Sequence, residues 1–199
     1  LEPWMITTHM IVALVIVTLL LYATFHARLQ QAGLPRSSAP ARRRYRVAVA
    51  VVLVTVLVQI GLGTQVRGAM EHAVDLDPEL PRSEWIEHTG WLEPAHKSFS
   101  WLPLLGTLGL VVWARRRFRN DPGLIRTAQA GLALVIAQIL IGVSLSDFGV
   151  PPVSQVLHLS AASVLVGMLT LSFLQTQREP VARTATDDEV VPGAHAEPA

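Results

Sequence analysis

The sequence predicts an all-α, polytopic membrane protein with five membrane-spanning helices, the last four forming one bundle. Three observations predict it. Hydrophobic residues make up 51% of the chain and charged residues only 16%, at mean hydropathy +0.41, which is too apolar for an ordinary soluble domain of 199 residues. The charges sit in blocks separated by long uncharged runs, and a spanning helix needs roughly 20 predominantly apolar residues. Finally, the blocks alternate in sign along the chain. The formal net charge of +1 hides this alternation.

Five runs meet the length requirement, at about residues 6–25, 47–66, 98–114, 124–146 and 153–175. The first opens near Leu1 with no methionine start, charged n-region or small-residue cleavage site, so it reads as an interior segment rather than a signal peptide. The second follows a basic stretch, residues 30–46, with Arg36, Arg42, Arg43, Arg44 and Arg46, and Arg28 lies just before that stretch. An acidic loop carrying Glu71, Asp75, Asp77, Glu79, Glu84, Glu87 and Glu93 leads to the third span. Arg115, Arg116, Arg117, Arg119 and Arg126 follow it, and a short loop with Asp147 joins the fourth span to the fifth. The positive-inside rule places both basic loops in the cytoplasm and the other two outside, so five spans of a cell-membrane protein alternate without contradiction. From these runs we expect a lone first helix (residues 1–29), a basic cytoplasmic loop (30–46), a four-helix bundle (47–176) and a disordered cytoplasmic tail (177–199).

The arginine clusters are accounted for as topology signals and contacts with anionic lipids of the bilayer, and nothing resembles a nucleic-acid module. With no cysteine in the chain, thiolate ligands and iron–sulfur clusters are excluded, so a redox metal would rest on histidine, methionine or carboxylate.

The bundle contains an internal repeat. Gln59-Ile60-Gly61-Leu62-Gly63 near the outer end of the second span matches Gln138-Ile139-Leu140-Ile141-Gly142 near that of the fourth. Each copy is followed by an outward loop and a span with a histidine near its start, His96 or His158, so the repeating unit is a helix hairpin. From His9 to Arg28 is 19 residues, from His96 to Arg115 is 19, and from His158 to Arg178 is 20. At about 1.5 Å rise per residue the three histidines share one depth, roughly 28 to 30 Å from the cytoplasmic arginines. Positions three and four residues on share a helix face, and there small residues recur: Ala13 after His9, Ser100 after His96, Ala161 and Ala162 after His158. They leave room for a flat macrocycle. Taken singly, each histidine also reads as a cap or a snorkelling residue at the interface. Together, His96 and His158 fall on diagonal helices of the bundle, and neighbour spacings of about 8 to 10 Å imply a diagonal of about 11 to 14 Å. That gap suits a heme ligated from both sides. His26, His72, His88 and His195 read as ordinary solvated or interfacial residues.

Four segments carry a family resemblance: Gly63-Thr64-Gln65-Val66-Arg67-Gly68, Glu84-Trp85-Ile86-Glu87, His96-Lys97-Ser98-Phe99-Ser100, and Phe148-Gly149-Val150-Pro151 through Gln155-Val156-Leu157-His158-Leu159. In order and spacing the chain resembles the second half of heme A synthase, a family built as a tandem of two four-helix bundles. The resemblance covers residues 1 to about 176. It implies that His96 and His158 are the axial iron ligands of a b-type heme. Lys97 stands where the family usually has arginine, retaining the charge without the bidentate fork. Pro3-Trp4 followed by His9 is similar to the last helix of the family's first bundle. His9 would then be a ligand of the substrate heme, and its partner histidine, a carboxylate and a cysteine pair would lie in a segment preceding Leu1.

The implied activity is that of an oxidoreductase that turns the methyl group of heme O into the formyl group of heme A for cytochrome oxidase. Its partners would be heme O, an electron acceptor and the farnesyl-transferring heme O synthase. Arg67 and, more weakly, Lys97 are candidates for heme propionate contacts through charge-assisted hydrogen bonds, although Arg67 reads equally as an interfacial anchor. Glu93, one turn before His96, is a candidate catalytic carboxylate. It also reads as a first-turn acid beside Pro94 that complements the helix dipole. Two other readings remain: a bis-histidine b-type cytochrome that transfers electrons without modifying heme, and a transporter or scaffold whose histidines contact ions or partners.

Overall fold

The computed structural model describes residues 3–31 and 39–178. In chain order these form α1 (Pro3–Gln31), α2 (Pro40–Leu76), α3 (Leu92–Phe99), α4 (Trp101–Arg117), α5 (Pro122–Asp147) and α6 (Pro152–Gln175), with 3-10 turns at Arg82–Glu84 and Glu87–Thr89. No strand occurs among the described residues. Five helical stretches, with α3 and α4 counted as one, are long and apolar enough to cross a membrane. Their outward faces are apolar, with Val54 58%, Leu105 60% and Leu140 65% exposed, a surface suited to lipid and not to water. The expected all-α, multi-pass architecture is present.

Prolines open α2, α5 and α6 in their first turns, where a missing N–H leaves no hydrogen bond unmade. Asp121 caps α5 by accepting from the Leu124 amide at 3.1 Å. At 37 residues, α2 is about 55 Å long and overshoots a hydrocarbon layer of about 30 Å. It runs well beyond the apolar run at 47–66. Residues 40–46, counted from sequence with the basic loop, are helical because Arg42 and Tyr45 face inward, 4% and 0% exposed, continuing the buried stripe of Val49, Val52 and Val56. The rest of that loop (32–38) and most of the tail (179–199), where disorder is expected, lie outside the described residues.

The third span is broken at Ser100, which sequence periodicity did not anticipate. Pro103 lacks an amide hydrogen and its ring crowds the carbonyl of residue 99. One turn earlier the ladder tightens, the Ser100 amide bonding to the Lys97 carbonyl at 3.2 Å and the Ser100 hydroxyl to the same oxygen at 2.6 Å. His96 therefore rides on the short α3, set off from the long α4.

Helix α2 packs against α4 and α6, and α5 packs against the same two, so the four close into a ring with α4 and α6 on one diagonal. Outside the ring, α1 lies against α6 and α2. The ring has a basic end, where α1, α4 and α6 finish and α2 and α5 begin, and an acidic end carrying the long loop. Its core is concentrated toward the basic end: Tyr45, Val49, Val52 and Val56 meet Leu110, Val111 and Ala114, Leu124, Ala128 and Val135, and Leu165, Val166 and Leu169. In the half toward the acidic end no residue of 57–67, 92–102, 136–147 or 152–164 is fully buried. At that end Gly149, at φ +67, turns the chain from α5 into α6, and a Cβ there would approach the Ser83 backbone to 3.4 Å.

Candidate cofactor site

His96 and His158 meet in the less buried half of the ring. Their ring centroids are 6.5 Å apart and their planes are inclined by 63°. Each is held in the same way by the helix that precedes it. Gln59 of α2 donates its amide to the His96 carbonyl at 2.9 Å, and Gln138 of α5 donates to the His158 carbonyl at 2.9 Å. Four residues further along each of those helices, and hence on the same face, is a glycine against which the imidazole lies. A Cβ on Gly63 would meet His96 Cε1 at 3.0 Å, and one on Gly142 would meet His158 Cε1 at 3.6 Å. The repeat seen in sequence is thus a cradle, in which glutamine fixes the histidine backbone and glycine admits the ring.

Four buried atoms in this cluster have no hydrogen-bond partner: Nδ1 of His96, Nδ1 of His158, and the side-chain oxygens of Gln59 and Gln138. Unsatisfied buried polar atoms are rare in folded proteins and point to a further occupant or function. A metal–imidazole bond of about 2 Å puts two rings on opposite sides of one iron with centroids about 6 Å apart. The residues present fit a bis-histidine heme by donor type, spacing and the half-buried Ala161 and Ala162 beside them. Among the described residues no group of three or more histidine, aspartate or glutamate side chains could hold a bare metal ion.

The other sequence candidates are spread over α1, α2 and α3. Glu93, one turn before His96, is ion-paired with Lys97 and accepts from the Ser146 hydroxyl at 3.3 Å, tying α3 to α5. Arg67 donates from Nε to Glu71 at 2.8 Å and from Nη1 to Gln155 at 3.3 Å, so it links α2 to α6 at the acidic end. Both cations thus have carboxylate partners. His9 is exposed on α1, and no hydrogen bond joins it to the pair among the described residues. His72 and His88 are exposed, His26 stacks on Tyr22, and His195 lies outside the described residues.

The sequence reading did not assign Gln59 and Gln138 a task, although the signal was present: both recur with a glycine at i+4. The two cradles differ in tightness, and this has a measurable consequence. Gly63→Ala is expected to lower stability by about 1 to 3 kcal/mol, because the methyl must displace a ring whose backbone is tethered. Gly142→Ala, at ordinary contact distance, should be neutral or gain up to about 1 kcal/mol from helix propensity. Unfolding followed by circular dichroism in mild detergent checks both, and equal effects at the two positions would sink the distinction.

A family model described as cytochrome oxidase assembly protein, COX15-CtaA, matches residues 1–170, from α1 into the last turns of α6. No curated protein and no solved structure matches the chain. Since the match spans most of the 199 residues, the chain belongs to the cytochrome oxidase assembly protein family, that of heme A synthase, with a role in heme A synthesis for cytochrome oxidase.

Proposed function

We propose that this chain is a heme A synthase type oxidoreductase whose ring of α2 to α6 holds a b-type heme between His96 and His158, and that it serves the oxidation of the heme O methyl group to a formyl group. The observation that carries the reading is the meeting of two cradled imidazoles, 6.5 Å apart, from α3 and α6. A bound heme would supply one-electron redox chemistry at its iron. With His96 and His158 both given to the iron, such a site would serve electron relay or support of the fold and not oxygen activation. The chain's own part is to fix the two rings through Gln59, Gln138, Gly63 and Gly142. Arg67 and Lys97 would exchange their carboxylate partners, Glu71 and Glu93, for heme propionates. Glu93, held between Lys97 and Ser146, orients α3.

In this reading His9 belongs to a second heme site, for the substrate, built with residues outside this chain's ring. Both basic loops face the cytoplasm and the heme lies near the outer face in this reading, which the charge asymmetry supports. Pigment extraction and a reduced-minus-oxidised spectrum of the purified protein test the proposal. A b-type heme with a low-spin, six-coordinate spectrum is expected. A chain that takes up no heme when expressed with an ample supply would overturn it. Full b-type occupancy combined with failure to convert added heme O, in a preparation containing the complete family architecture, would favour the electron-transferring cytochrome.

A further inference from the structure

The basic end of the ring carries two adjoining cavities that the heme reading does not use. One, of about 350 Å³, is lined by Arg116, Arg117, Phe118 and Arg119 of the turn leaving α4, with the Arg42–Asp121 pair at its back. The other, of about 490 Å³, is an open apolar depression on the outward face of α4 alone, formed by Leu105, Leu108, Gly109, Val112 and Trp113. Arg116 lines both, so the cluster of cations adjoins an apolar strip of α4 running toward the middle of the membrane.

The charges in this cluster do not cancel. Asp121 is committed to Arg42, and among the described residues no carboxylate pairs with Arg116, Arg117 or Arg119. The walls are fixed from within. Trp113 and Phe118 both pack edge-on against the fully buried Tyr45, at 5.6 and 5.4 Å between centroids, and the Arg42 guanidinium lies 5.5 Å from the Phe118 ring centre. Gly109 deepens the depression, with nothing within 4 Å of where its Cβ would stand.

We propose that the basic end of α4 is a binding site for one anionic glycerophospholipid, with its phosphate among Arg116, Arg117 and Arg119 and one acyl chain in the depression beside Gly109 and Trp113. Charge complementarity selects the occupant. Basic pockets at the end of spanning helices recognise anionic head groups, and the adjoining apolar strip of α4 distinguishes a lipid from a free phosphate. The proposal needs the chain to span a membrane and does not depend on heme.

The test reconstitutes the full chain in phosphatidylcholine vesicles containing a small fraction of phospholipid brominated on its acyl chains, which quenches tryptophan on contact. Subtracting the signal of Trp113→Phe isolates Trp113. Brominated phosphatidylglycerol is expected to quench Trp113 several-fold more than brominated phosphatidylcholine at the same fraction. R116Q should cut that preference about fivefold, and the triple change R116Q/R117Q/R119Q should abolish it. Because these arginines also direct membrane insertion, Gly109→Leu serves as a second probe, filling the depression without altering charge, and it too should lose the preference. Equal quenching by the two lipids, a preference that survives both sets of substitutions, or displacement of the brominated lipid by millimolar inorganic phosphate would overturn the proposal.

Discussion

Replacing His158 by alanine is expected to abolish the low-spin, six-coordinate heme spectrum and to weaken heme retention by more than about a hundredfold. The magnitude follows from what lesser losses cost. Removing a group that only orients a metal-bound histidine typically lowers metal affinity or activity by about 10- to 100-fold, so removing the ligand itself costs more. His96→Ala should match it within a few-fold, because the two rings sit in equivalent cradles, each anchored by a 2.9 Å glutamine–carbonyl bond. His88→Ala, in the exposed loop, provides the control and should leave the spectrum unchanged. Pyridine hemochrome quantification of the purified variants reads all three. A low-spin b-type spectrum persisting in H158A, or equal loss in H88A, would remove the basis for the heme assignment.

The second large effect is one of stability and lies at the opposite end of the ring. Arg42 donates from Nη2 to Asp121 Oδ2 at 2.5 Å and from Nη1 to the Gln175 carbonyl at 3.3 Å, while the other Asp121 oxygen caps α5. The side chains are each 5% exposed, and together they tie α2, the α4–α5 turn and the end of α6. A paired buried charge is close to neutral in free energy, but a stranded one is not. Arg42→Met leaves Asp121 ionised without its partner and is expected to cost about 3 to 5 kcal/mol. Asp121→Asn alone strands the arginine, although asparagine retains the capping oxygen. The double variant should recover most of the loss, so the cycle returns a coupling of more than about 2 kcal/mol. Chemical denaturation in detergent, followed by circular dichroism, measures each corner. A shift below about 1 kcal/mol for R42M would mean that water or lipid head groups solvate the pair.

Different parts of this architecture were legible in the sequence to different degrees, for physical reasons. The five spans could be read because a bilayer imposes length and polarity on every segment that crosses it, whatever its neighbours. The meeting of His96 and His158 was legible because a repeat brought the same glutamine, glycine and histidine to one depth twice. Arg42 shows the limit. In sequence it is one of several arginines in a basic stretch, and its partner is 79 residues away. No local pattern separates a solvated arginine from one enclosed by three helices. The break at Ser100 was hidden differently, since Pro94 and Pro103 were visible but the apolar run passes through the break without interruption. Likewise the ends of α2 escaped hydropathy, which registers the part of a helix that lies in lipid and not the turns projecting beyond it.

The cradles also bear on how the protein is made. Gln59 and His96 lie on consecutive helices, as do Gln138 and His158. The glutamine and glycine contacts that hold each imidazole are therefore internal to one hairpin and can form as soon as that hairpin has left the ribosome and entered the bilayer. The encounter between the two imidazoles, like the Glu93–Ser146 and Arg67–Gln155 bonds, waits for the ring of helices to close. A group that bridged them would then act as a rivet, joining two finished halves at the last step of biogenesis and stabilising their union by mass action.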